Sequence, residues 1–285
     1  MGEIHVEVGE GPAGQPIATI VLDGFDSPST ATVSRIVSGR DALIRGGRDV
    51  TILGSGSLID WDVPLGHETT YVVSTSTERL TATVTVPSGV GWISDPQDPS
   101  VAVAFAARPG MGTDLIVTAG ALESGRFSAE SSTTSILGAD LPVATGGTRM
   151  RAASLPITVV ALTREAVDGF TELLRGGSVL VFRPTPRTPL MDPVSYVLLP
   201  DVTVKPVGAR RGRPETLFES EGTLVRPLAR PVAWTFWTYS SALALYVSED
   251  GMTALTYTQV AAIAATNGFS YAGVARDPRM GGALG

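Results

Sequence analysis

Apolar and polar positions alternate with a period of two along much of this chain. The clearest case is 80–86, where Leu80, Ala82, Val84 and Val86 share one side and Thr81, Thr83 and Thr85 the other. That is the pattern of a strand with one buried face. Comparable runs at 17–22, 32–37, 42–45, 50–53, 58–61 and 70–75 predict further short strands, with Asp23-Gly24, Gly46-Gly47 and Gly54-Ser55-Gly56 as the turns between them. Seven strands within about 70–80 residues fit one β-sandwich.

Near Asp95-Pro96-Gln97-Asp98-Pro99 the turn residues crowd together, which marks a boundary. Strands are predicted beyond it at 101–107, 133–137, 155–162, 178–183, 196–205 and 216–225. A single strong helical pattern, 163–175, lies among them. Thr163 caps it and Glu165 sits in its first turn. Val167, Phe170 and Leu174 line one face, and Gly176-Gly177 stops it. The last 50 residues read differently. Thr238-Tyr239 opens a segment that Thr256-Tyr257 echoes eighteen positions later, and in the second copy Val260, Ile263 and Ala264 form a helical stripe. The expected organisation is a sandwich at 1–95, a β-rich domain with one packed helix at 96–237, and a C-terminal arm at 238–285. The fold class is mainly β.

Composition supports this reading. Hydrophobic residues make up 43% of the 285 and charged residues 17%, enough for packed cores, while 32 Gly and 20 Pro supply turns and disfavour long helical bundles. The net charge of −7 repels nucleic-acid backbones and anionic lipid, so neither nucleic acid nor membrane is an expected partner. No window approaches the uninterrupted apolar length of a membrane span, and the first residues lack a signal-peptide pattern. The absence of cysteine excludes disulfides, thiolate zinc sites and a cysteine nucleophile. Lys205 is the single lysine among 21 basic residues, an arginine bias resembling translation from a GC-rich genome.

Candidate chemistry is sparse. Gly9-Glu10-Gly11-Pro12-Ala13-Gly14 matches a dinucleotide-binding spacing, but Pro12 and Pro16 lead into a strand rather than the helix such a site requires. His5 and His67 have no partner at zinc-ligand spacing, and no G-x-S-x-G elbow occurs. No catalytic residue, metal site or cofactor is expected. Asp60 and Asp62 flank Trp61 and in a strand share a face about 7 Å apart. They suit either the carboxylate pair of a glycosidase or, more simply, a solvated edge strand whose charges block pairing. Asp95 and Asp98 lack the spaced oxygen ligands of a calcium loop. Arg210, Arg211 and Arg213 form the one basic cluster, a solvated hairpin tip or a contact for an acidic neighbour. Trp61, Trp92, Trp234 and Trp237 are core or interface aromatics before they are sugar platforms.

Two stretches carry a resemblance. The first runs from Ala31-Thr32-Val33-Ser34-Arg35-Ile36 through Gly46-Gly47-Arg48 to Leu58-Ile59-Asp60-Trp61-Asp62-Val63-Pro64-Leu65-Gly66 and Thr69-Thr70-Tyr71. It resembles a fibronectin-type-III sandwich, and Leu65 six residues before Tyr71 matches a tyrosine corner, whose hydroxyl bonds back to the backbone. The same segment is similar to the N-terminal region of minor tail proteins of siphophages infecting actinobacteria. So is the second stretch, Leu155-Pro156-Ile157-Thr158 through Phe170, Leu173-Leu174 and Gly177-Ser178-Val179 to Tyr196-Val197-Leu198-Leu199-Pro200, with Leu224-Val225-Arg226-Pro227 and Trp234 after it.

The resemblance spans about residues 19–265. It implies a distal-tail-like structural protein of the tail tip or baseplate, made in the host cytoplasm and carried in the virion. As such it would form a homo-oligomeric ring and connect the tail tube to adsorption proteins. Its partners would be other copies of itself and neighbouring tail-tube, tape-measure or hub proteins. It implies no enzymatic activity. Interface candidates are Arg210, Arg211, Arg213, Tyr239, Tyr257, Val260 and Ile263. The alternatives are a carbohydrate-binding or host-adsorption module using an exposed Trp61 or Trp92, and a cell-wall hydrolase using Asp60 and Asp62.

Overall fold

The alternating runs form strands in the computed structural model, which describes residues 2–25, 29–118, 127–128, 131–135, 137, 142–147, 150–151, 155–186, 192–207 and 215–227. The chain is mainly β, with one helix among these residues. Its described part divides into two compact units between Pro87 and Ser88. The division expected after residue 95 differs from this one by the strand Gly91–Ser94, which pairs within the second unit.

The first unit holds β1 (Glu3–Glu10), β2 (Pro16–Asp23), β3 (Ser29–Val37), β4 (Arg40–Leu43), β5 (Val50–Ile52), β6 (Gly56–Asp60), β7 (Glu68–Ser74) and β8 (Arg79–Thr85). One sheet has the order β1-β2-β6, and the other has β4-β3-β7-β8 with β5 also on β3. β6 thus lies beside β2 and not beside its sequence neighbours β5 and β7, so the chain crosses between the sheets, as in an immunoglobulin-like sandwich. Ala18, Ile20, Leu22 and Leu58 from the first sheet and Val33, Tyr71 and Val73 from the second are buried.

The strand expected at 42–45 instead spans Arg40–Leu43. Ser38 and Gly39, both at positive φ (51° and 77°), make a two-residue turn that starts the return strand early. Gly47 sits where a Cβ would lie 2.3 Å from the carbonyl oxygen of Val33, while that residue's N–H donates to Gly47 O at 2.7 Å. Gly47→Ala must push these two backbone segments apart and is expected to destabilise the first unit by about 1–3 kcal/mol. Denaturant unfolding of the variant checks this, and an unchanged midpoint would refute it.

The second unit holds β9 (Gly91–Ser94), β10 (Ala102–Phe105), β11 (Leu115–Val117), β16 (Leu155–Ala161), α1 (Arg164–Gly176), β17 (Val179–Arg183), β18 (Ser195–Leu198), β19 (Thr203–Pro206) and β20 (Thr216–Val225). The connection from β11 to β16 carries β12 (Phe127–Ser128), β13 (Ser131–Thr134), β14 (Val143–Gly146) and β15 (Met150–Arg151).

Seven strands run in the order β10-β9-β17-β18-β20-β16-β11. The two end strands then meet at Ala106, whose N–H donates to Leu115 O and whose carbonyl accepts from Val117 N, both at 2.9 Å. The sheet is therefore closed into a barrel. The strand expected over 196–205 is two, β18 and β19, which lie one after the other along the same edge of β20. Pro200, with no N–H to give a ladder, falls in the break between them.

The helix follows its sequence signals. Thr163 Oγ1 accepts from Ala166 N at 3.3 Å, and Gly177 ends the helix. Its deepest residues are Phe170 and Leu173, with Val167 and Leu174 only partly buried, so the core-facing line runs through Leu173 rather than Leu174. Phe170 meets Phe218 of β20 edge-on, ring centroids 4.9 Å apart. The barrel interior is filled by Ile93, Phe105, Leu180, Phe182, Val197 and their neighbours.

Candidate functional site

The Asp60-Trp61-Asp62 run sits at the end of β6. Register places Asp60 beside Ala18, on the face of its sheet that packs against the other sheet. In that opposite sheet Arg35 of β3 and Tyr71 of β7 are direct cross-strand partners. Asp60 reaches both. Arg35 Nη1 donates to Oδ1 and Oδ2 at 2.6 Å each, and the Tyr71 hydroxyl donates to Oδ2 at 2.9 Å. Two residues on, Asp62 receives a two-pronged contact from Arg45, whose Nε donates to Oδ2 and whose Nη2 donates to Oδ1 at 2.8 Å. The N–H of Asp62 closes the cluster on Asp60 Oδ1 at 3.1 Å. The carboxylates are only 2% and 1% exposed.

This overturns both sequence-based readings of the acidic pair. The two aspartates do share a face, as alternation requires, but it is the inner face and not a solvated one. Asp62 is held by the planar fork of Arg45, and Asp60 by Arg35 Nη1, so the pair does not present the open, water-accessible arrangement of a glycosidase. The pair ties the two sheets together. The arginine partners carried a signal of their own, since Ala31, Val33 and Arg35 alternate onto one face of β3 and a charge there demands a counter-charge. At the position of the expected tyrosine corner Leu65 and Tyr71 are both buried, and the Tyr71 hydroxyl donates to Asp60.

Trp61 points the other way and clusters with Ile17 and Ile59. At 5% exposure it offers no ring face to a sugar, which removes it from the adsorption-module reading; Trp92 is half-buried in β9. The Gly9–Gly14 run is the turn joining β1 to β2, closed by Gly11 N to Gln15 O at 2.6 Å, and not a phosphate loop. Asp95 and Asp98 cap their own turns, accepting from Gln97 N at 2.7 Å and Ser100 N at 3.0 Å. Among the described residues no group of three or more His, Asp or Glu side chains could hold a metal ion. Arg210, Arg211, Arg213, Tyr239, Tyr257, Val260 and Ile263 all lie outside the described residues, as does the whole C-terminal arm.

Two features of the second unit bear on association. First, β13 and β14 pair with each other, Ser131 opposite Gly146 through Thr134 opposite Val143, and all eight residues are exposed. Among the described residues no barrel strand pairs with this ribbon. Second, among the described residues β19 pairs with β20 alone, and its four residues are exposed. No protein-family model, curated protein or solved structure matches the chain.

Proposed function

We propose that this chain is a structural component of a siphophage tail tip or baseplate that assembles around the tail axis and links the tail tube to adsorption proteins. The ordered set of motifs described above supports this, as does a build of two compact β units. The observation that carries the reading is the β13–β14 ribbon. A two-stranded ribbon with both faces in water is at best marginally stable alone and gains its order from a partner. Such an arm belongs to a protein that assembles.

Antibodies raised against the purified chain are expected to decorate the tail tips of the particles that encode it, and the chain is expected in purified particles at a fixed copy number. Its absence from particles, with the protein abundant in infected cells, would overturn the proposal.

A further inference from the structure

We propose that the outer face of the β1-β2-β6 sheet is the docking surface for this chain's own C-terminal segment, residues 228–285. The inference goes beyond the assembly reading and does not depend on it.

An antiparallel sheet in a two-layer sandwich has one face in the core and the other in water. β2 departs from this. Ile17, Ala18, Thr19 and Ile20 are consecutive and so alternate between the two faces, yet all four are buried. Ala18 and Ile20 face the opposite sheet. Ile17 and Thr19 face away from it, at 3% and 1% exposure. Register adds β6 to the same outer patch: Ile59 stands opposite Thr19 and is partly buried, and Trp61, two residues on, is 5% exposed. A sheet dry on both faces has a third layer over it.

The patch sets the chemistry of that layer. Among the described residues its apolar cluster consists of Ile17, Ile59 and Trp61 alone. None of these carries a charge, and Thr19 Oγ1 has no hydrogen-bond partner among the described residues, so an apolar, uncharged cover fits. The segment 228–285 has that character. It bears no charge from Pro231 to Ser248 or from Gly251 to Ala275, and it supplies Trp234, Phe236, Trp237 and Tyr239 within six positions. It follows the second unit in sequence, yet the compact first unit groups Leu228–Gly285 with Met1–Pro87. The cover stops short of β1, where the side chain of His5, opposite Val21 on the same side, is 71% exposed.

The cysteine-free chain allows a direct test. Thr19→Cys places one small thiol at the centre of the face, and a second cysteine is walked through positions 231–275. Under mild oxidation of dilute protein, intrachain disulfides are expected at a subset of positions, read by mobility with and without reductant. In parallel, Thr19→Arg puts an unpaired charge beneath the layer and is expected to speed chymotrypsin cleavage within 231–275 about ten-fold or more. Thr19→Val keeps the shape, removes a buried hydroxyl and is expected to leave cleavage as slow as in the wild-type chain. Absence of an intrachain disulfide at every position overturns the inference. So does a disulfide that forms only between chains, which would make a second copy the occupant, and so does equal cleavage of the wild-type and Thr19→Arg chains. The tail proposal stands or falls separately, on the presence of the chain in particles.

Discussion

Asp60→Ala is expected to destabilise the first unit by about 3–5 kcal/mol, a large part of the stability of a domain this size. The substitution removes the one group that Arg35 Nη1, the Tyr71 hydroxyl and the N–H of Asp62 share. Arg35 is left as a buried charge whose counter-charge has gone, and that desolvation is the larger part of the loss. Calorimetry should show the effect confined to the transition of the first unit. The double variant Arg35→Met with Asp60→Leu is expected to be less destabilised than Asp60→Ala alone, because two apolar groups replace two charges, although the Tyr71 hydroxyl and the Asp62 N–H both lose the Asp60 carboxylate as acceptor. Strict additivity of the two single substitutions would show that the residues do not act as a pair.

Phe170→Ala should cost the second unit about 3–5 kcal/mol. The ring is buried in the barrel core and meets Phe218 edge-on, so truncation opens a cavity that the surrounding strands cannot collapse into without breaking their ladders. Thr163→Ala on the same helix removes only the cap and is expected to cost about 1 kcal/mol. Comparing the two by denaturant unfolding separates the helix as a piece of core from the helix as a surface element. If both cost the same, α1 is not part of what holds the barrel together.

Most of the strand content was legible because the signal is local. Period-two alternation placed β2, β3, β7, β8 and β20, and cap, first-turn acid and terminal glycines placed the helix to within a residue. What failed was pairing across distance. The Asp60-Trp61-Asp62 run looks like surface charge until Arg35 and Arg45, 25 and 17 residues away in sequence, are brought against it. Alternation gave the shared face of the two acids but not which face was inside, because that depends on β2 lying beside β6. The short strands β9 and β11 carry too few residues to show a period, yet β11 is one of the two that close the barrel. The break at Pro200 was visible as a proline but was read through.

The place at which the ribbon leaves the barrel has an evolutionary consequence. It is inserted between β11 and β16, which are antiparallel neighbours whose ladder is complete without it. Lengthening such a connection costs the barrel only loop-closure entropy, about 0.6 kcal/mol for each doubling of its length. The ribbon can therefore change length or sequence while the barrel stays as it is. Related chains are expected to diverge fastest in this insertion, each keeping a common body and refitting only the part that meets its own neighbours.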